Sequence, residues 1–169
     1  DHDAANATQQ QVAITINSVN DAPSGTNTTV TTPENTAYTF ATADFGFSDP
    51  NDNPANALLA VKITTLPSAG TLTDNGNAVA AGQLVSVADI NGGLLKFTPA
   101  ANASGNNYTN FTFQVEDDGG VANGGVDLDQ TPNTITMNVV IDQPPVLSSG
   151  TSAVTYTEAA PAVTVSPAL

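Results

Sequence analysis

The side chains of this chain that could do chemistry are almost all carboxylates and carboxamides, and they fall in short clusters. Asn20-Asp21, Asp49 with Asp52, and Asp117-Asp118 each bring acidic or amide oxygens together within a few residues. Donor sets made only of oxygen suit a hard divalent cation. Ca²⁺ in particular takes about 6–8 oxygen ligands at roughly 2.3–2.6 Å from carboxylates, amides and backbone carbonyls. Glu34 and Asp142 form a second, sparser pair. A turn competes with a metal loop at Asp49-Pro50-Asn51-Asp52-Asn53, because Asp and Asn cap turns through their own backbone. Asp117-Asp118 before Gly119-Gly120 also reads as a solvated loop. Asp127 and Asp129 read first as loop acids, Asp74 as a hairpin residue and Asp89 as a turn starter.

Other chemistries lack their residues. The 169-residue chain has sixteen Asp or Glu against two Lys or Arg, a net charge of −14, one His and no Cys. Two Lys cannot displace counterions from a nucleic-acid backbone, and an anionic membrane surface would repel the chain. Without Cys there is no disulfide frame, thiolate nucleophile or Cys-based metal site. The lone His2 sits beside the first residue, so no Ser-His-Asp set is expected. A pair of Asp working as acid and base needs one carboxyl in an apolar pocket, whereas these acids sit among Gly and Asn. No phosphate-cradling loop occurs, since the Gly-Gly pairs lack a following Lys and helix. The expectation is therefore no enzyme, no nucleic acid and no direct membrane insertion. With 40% hydrophobic and only 11% charged residues, the chain is not a disordered acidic tail. No apolar run approaches the roughly 20 residues of a membrane-spanning helix.

Strands must position these acids, because Gly or Pro interrupts nearly every window long enough for a helix. Period-two alternation recurs at Val12-Ile14-Ile16, Tyr38-Phe40, Val61-Ile63, Phe111-Phe113-Val115 and Ile135-Met137-Val139-Ile141. The spacing predicts about seven strands, the number of an immunoglobulin-type sandwich. They fall near residues 28–33, 36–41, 58–66, 70–73 with 78–79, 94–98, 109–116 and 133–141, with a short extra strand near 83–87. Asp74-Asn75-Gly76 suits a tight hairpin, and Asn91-Gly92-Gly93 is expected to serve likewise. Phe40, Val61, Ile63, Phe97, Phe111, Phe113, Val115, Ile135, Met137 and Val139 are the expected core.

The two ends echo each other. Ile14-Thr15-Ile16-Asn17 through Asp21-Ala22-Pro23 parallels Ile135-Thr136-Met137-Asn138 through Asp142-Gln143-Pro144, roughly 120 residues on, one sandwich domain. Residues 1–21 thus read as the last strand of a preceding repeat with its linker. Residues 22–143 form a complete repeat, and residues 144–169 the first strands of the next.

At this point the chain resembles the cadherin-like tandem repeats of large bacterial surface proteins and adhesins. The resemblance rests on Val19-Asn20-Asp21-Ala22-Pro23, Pro33-Glu34-Asn35, Phe47-Ser48-Asp49-Pro50, Leu66-Pro67-Ser68-Ala69-Gly70-Thr71-Leu72, Leu95-Lys96-Phe97-Thr98-Pro99 and Phe111 through Gly119. It implies an all-β, seven-strand Greek-key sandwich that binds Ca²⁺ at its junctions. In such a sandwich the incoming linker and the loops after the second and sixth strands share one pole. Asn20, Asp21, Asp49, Asp52, Asp117 and Asp118 would then be the ligands. Glu34 and Asp142 would mark a weaker site at the other pole, where Ala101-Asn102-Ala103-Ser104 replaces the family's acidic motif. The expected role is an extracellular spacer or adhesion module, secreted or anchored at the cell surface, whose partners are neighbouring repeats. A carbohydrate-binding or homotypic recognition module, with a cell-surface or polysaccharide ligand, is the alternative.

Overall fold

The computed structural model describes residues 18–142. Nine strands account for most of its regular structure: β1 (Thr28–Pro33), β2 (Tyr38–Thr39), β3 (Leu58–Ile63), β4 (Thr71–Asp74), β5 (Asn77–Ala78), β6 (Leu84–Ser86), β7 (Leu95–Thr98), β8 (Gly105–Asp117) and β9 (Asn133–Val140). They form a five-stranded sheet in the order β1-β9-β8-β3-β6 and a four-stranded sheet in the order β2-β7-β4-β5. Every pairing is antiparallel except that of β1 with β9. Helix is confined to α1 (Val87–Asn91) and two 3₁₀ turns, Thr42–Phe45 and Ala122–Gly124. The arrangement is all-β and sandwich-like. Among the described residues, no helix is long and apolar enough to cross a membrane.

The core lies between the sheets, where alternation placed it. Phe111, Phe113 and Val115 of β8, Ile135, Met137 and Val139 of β9, and Val61 and Ile63 of β3 are all buried, as are Phe40 and Phe97 facing them. Edge-to-face ring pairs knit the layers: Phe40 with Phe111 at 5.6 Å between centroids, and Phe45 with Phe113 at 5.0 Å. Such pairs contribute about 0.5–1.5 kcal/mol beyond the area they bury. Residues 1–17 and 143–169 lie outside the described residues. So do the expectations placed on them: His2, the strand at 12–16 and the opening of a following repeat.

Local structure departs from the pattern in three places. The strand count is nine rather than seven. The stretches at 70–73 and 78–79 are separate strands, β4 and β5, and the extra stretch near 83–87 pairs with β3 as β6. The strand expected over 36–41 shortens to Tyr38–Thr39. After Phe40 donates to Leu95 O, the Asp44 carboxylate accepts from Ala41 N at 2.8 Å and turns the chain into a 3₁₀ helix. Asn91-Gly92-Gly93 is no hairpin. It closes α1, with Gly92 N bonded to Ala88 O and Gly93 N to Ile90 O, while Ser86 Oγ caps the start by accepting from Asp89 N. The other hairpin forms as its sequence predicts: Asn75 and Gly76 both take positive φ, at 48° and 77°, and Asp74 pairs with Asn77.

Candidate metal centre

The ladder that builds the core also delivers an acid to its end. Inward-facing positions along β8 run Thr109, Phe111, Phe113, Val115, and the next is Asp117. Its carboxylate is buried completely, at 0% exposure. Oδ1 accepts from Asn20 Nδ2 and from Gly119 N, both at 2.9 Å, while the buried Oδ2 has no hydrogen-bond partner. Asp49 arrives by the same logic on a different segment. Ser24 and Ser48 exchange backbone bonds of 2.8 and 2.9 Å, so Phe47 and Asp49 flank Ser48 on one face. Asp49 is 6% exposed. Its Oδ2 accepts from Asn56 N at 2.7 Å, and its Oδ1 is buried without a partner.

The segment leading into β1, residues 18–27, is fastened across these two acids. Asn20 Nδ2 donates to Val126 O as well as to Asp117, its Oδ1 accepts from Asn56 Nδ2, and its own carbonyl accepts from Val126 N. Asp52 Oδ2 accepts from Asp21 N at 2.9 Å. Asp118 Oδ1 accepts from Ala57 N at 2.8 Å, and Asp118 N returns a bond to Ala57 O. One continuous hydrogen-bonded neighbourhood therefore holds Asn20, Asp21, Asp49, Asp52, Asp117 and Asp118. An open cleft of about 200 Å³ adjoins it, lined in part by Asn20, Asp52, Asn53, Pro54, Asn56 and Gly119. Asp49 and Asp117 are not on its wall; Asn56 and Asn20, which are, bond to them.

Sequence reasoning missed two contributors. Asn56 joins Asp49 to Asn20. Gly119 is required by space, because a Cβ there would collide with the amides of Asn20 and Asn56. Its signal was the Asp-Asp-Gly-Gly run, which also reads as a solvated loop. Asp129 sits nearby but is fully engaged: 5% exposed, it accepts from Gly25 N and Asn133 Nδ2 at 2.8 Å and from Thr131 N at 2.9 Å. It pins the linker to the start of β9.

Charge at this end of the sandwich is crowded. Burial pushes the Asp117 carboxyl above the usual range, and Asp49 and Asp127 push it further, against the bonds from Asn20 and Gly119. Glu116 is raised by burial first and then by Asp127 and Asp117, while Lys62 pulls it down. Among the described residues, no three carboxylates converge closely enough to enclose an ion by themselves. Carbonyl, amide or water oxygens would have to complete a shell, as they commonly do around Ca²⁺. The residues fit a hard cation on one specific ground. Two buried carboxylate oxygens, Asp49 Oδ1 and Asp117 Oδ2, lack any partner.

The second expected pair has no such feature. Glu34 N donates to Val140 O, Asp142 is exposed, and the partnerless buried carboxylate oxygens of the described residues lie at Asp49, Asp74 and Asp117. Comparison with protein-family models, curated proteins and solved structures found no match.

Proposed function

We propose that the chain carries a Ca²⁺-stabilised, cadherin-like repeat of Greek-key, immunoglobulin-like type, serving as an extracellular spacer or adhesion module of a large bacterial surface protein. The observation that carries this reading is the pair of buried, partnerless oxygens on Asp49 and Asp117, set where the incoming linker crosses the sandwich. An ion there would neutralise two desolvated charges and tie the linker's seat to the ends of β8 and of the segment before β3. Asp49 and Asp117 would hold it, with carbonyl or amide oxygens nearby.

A carbohydrate-binding role draws less support. The rings that would line a sugar platform are committed elsewhere: the Phe side chains to the core, and the Tyr38 hydroxyl to Asp44 at 3.2 Å. Differential scanning calorimetry in EDTA and in millimolar CaCl₂ tests the metal reading. Ca²⁺ should raise Tm, because a ligand bound only by the folded state stabilises it by mass action. Superimposable traces would overturn it.

A further inference from the structure

We propose that the hairpin tip Asn75-Gly76 is a site of spontaneous covalent modification, an intramolecular deamidation that releases the edge strand β5. In an Asn-Gly pair the glycine nitrogen can reach the carboxamide carbon of the preceding side chain, since no Cβ on the glycine obstructs it. The bond formed joins Gly76 N to Asn75 Cγ, and the bond broken is Cγ–Nδ2. The Gly76 N proton leaves with Nδ2 as ammonia, and a five-membered imide remains. Solvent water then opens the ring. Cleavage between Gly76 N and Cγ leaves aspartate; cleavage between Gly76 N and the original main-chain carbonyl leaves isoaspartate, with the backbone rerouted through Cγ.

The chain has three Asn-Gly pairs, at 75–76, 91–92 and 123–124, and the fold treats them differently. Asn75 and Gly76 are both exposed. Among the described residues no hydrogen bond reaches the Asn75 carboxamide or Gly76 N, and a Cβ on Gly76 would meet nothing within 4 Å. At Asn91 the nucleophile is spent, because Gly92 N donates to Ala88 O at 2.9 Å. Asn123 and Gly124 lie within the 3₁₀ turn Ala122–Gly124, closed by Gly125 N on Ala122 O at 3.0 Å. Imide formation at Asn75 requires the turn to open, and little holds it shut. β5 is an edge strand of two residues with two registered pairs, Thr73 with Ala78 and Asp74 with Asn77.

The product does not fit the hairpin. A two-residue loop with positive φ at both positions has no room for another main-chain atom, and isoaspartate inserts one. Its carboxylate also adds a charge beside Asp74, whose Oδ1 is already buried without a partner. Both effects loosen β5 and bare the edge of β4, so the modification marks the age of the molecule by freeing one strand.

The test is prolonged incubation of the full chain in mildly alkaline buffer, with peptide mapping by mass spectrometry and an isoaspartyl methyltransferase readout. The Asn75 peptide should convert to both isomers about 3-fold or more faster than the Asn91 peptide, the margin of one hydrogen bond on the nucleophile. In urea, where each glycine N–H is free, the three rates should converge. Equal rates in the folded protein would overturn the proposal, as would Asn91 or Asn123 reacting ahead of Asn75. Hydrogen exchange reads the consequence at Val79 N, which bonds to Leu72 O. Exchange there should quicken in the isoaspartate fraction and stay near wild type in Asn75→Asp. Unchanged exchange in the isoaspartate fraction would overturn the release of β5.

Discussion

Asp117 offers a substitution whose effect on stability should reverse sign with Ca²⁺. In Asp117→Asn an oxygen remains where Oδ1 stands, so the 2.9 Å bonds from Asn20 Nδ2 and Gly119 N persist. What disappears is a buried charge opposed by Asp49 and Asp127, one of whose oxygens has no partner. A buried, unsatisfied polar group costs about 1–3 kcal/mol and a charged one more, so replacing Oδ2 by an uncharged amide nitrogen removes only the excess due to charge. Against that relief, the two surviving bonds lose roughly half their strength once the acceptor is neutral. The net expectation in EDTA is a gain of about 1 kcal/mol, or roughly 3–6 °C in Tm for a domain of this size. Ca²⁺ inverts the order. At about 10 mM free ion, a site with a dissociation constant near 10⁻⁴–10⁻³ M stabilises the wild type by roughly 1.4–2.7 kcal/mol, and the variant by almost nothing. Paired calorimetric scans of both proteins, with EDTA and with CaCl₂, give four Tm values and one crossing. A variant less stable than wild type in EDTA would refute the reasoning, as would one that keeps the full Ca²⁺ shift.

Three further outcomes follow from other parts of the molecule. Phe113→Ala, which empties a site at 0% exposure against the Phe45 ring, should cost about 3–5 kcal/mol in urea unfolding; a cost below about 1 kcal/mol would contradict the packing. Burial first and Asp89 second raise the Asp74 carboxyl, so the folded state binds that proton more tightly and carries a penalty above the folded pKa that is relieved as pH falls through it. Asp74→Asn should accordingly raise Tm at neutral pH and lose that advantage below about pH 3.9, where both states are protonated; an equal Tm gain at both pH values would refute the charge argument. Tyr38, pushed up to about 12 by burial and then by Asp44, should ionise later than an ordinary phenol. Its contribution to stability holds below the unfolded pKa near 10 and is lost as pH rises through about 12, which an alkaline absorbance titration against Tyr38→Phe will detect.

Much of this architecture was legible because strands write their faces into the chain at every second residue. The run that set Phe111, Phe113 and Val115 inward extends by two to Asp117, so the burial of that acid was implicit in the same count. Asn75-Gly76 announced its hairpin for a local reason, the positive φ both residues tolerate. Phe45 escaped because it lies in a 3₁₀ turn, where period two fails, although its side chain is wholly buried. Alternation was equally blind to α1, whose one turn depends on the Ser86 cap and on burial of Ile90. At the candidate site the acids could be read but not their division of labour. Asn20 and Asn56 lie 36 residues apart, and only the folded chain decides which carboxylate oxygens find an N–H and which are left without one.

The parallel seam between β1 and β9 also determines how the domain meets tension. Pulling the chain backward from Thr28 and forward from Val140 drags two adjacent strands past each other, along their length. All six registered pairs, and the Glu34 N–Val140 O bond beyond them, then resist together in shear instead of peeling apart one at a time. Forces arriving through the incoming linker meet the fastenings of Asn20, Ser24 and Gly25 before they reach that seam. Load would thus test the separate bonds of the incoming segment before it tests the paired strands. Resistance of this sort is a matter of unfolding rate rather than equilibrium stability, so two variants of equal Tm can part at quite different loads.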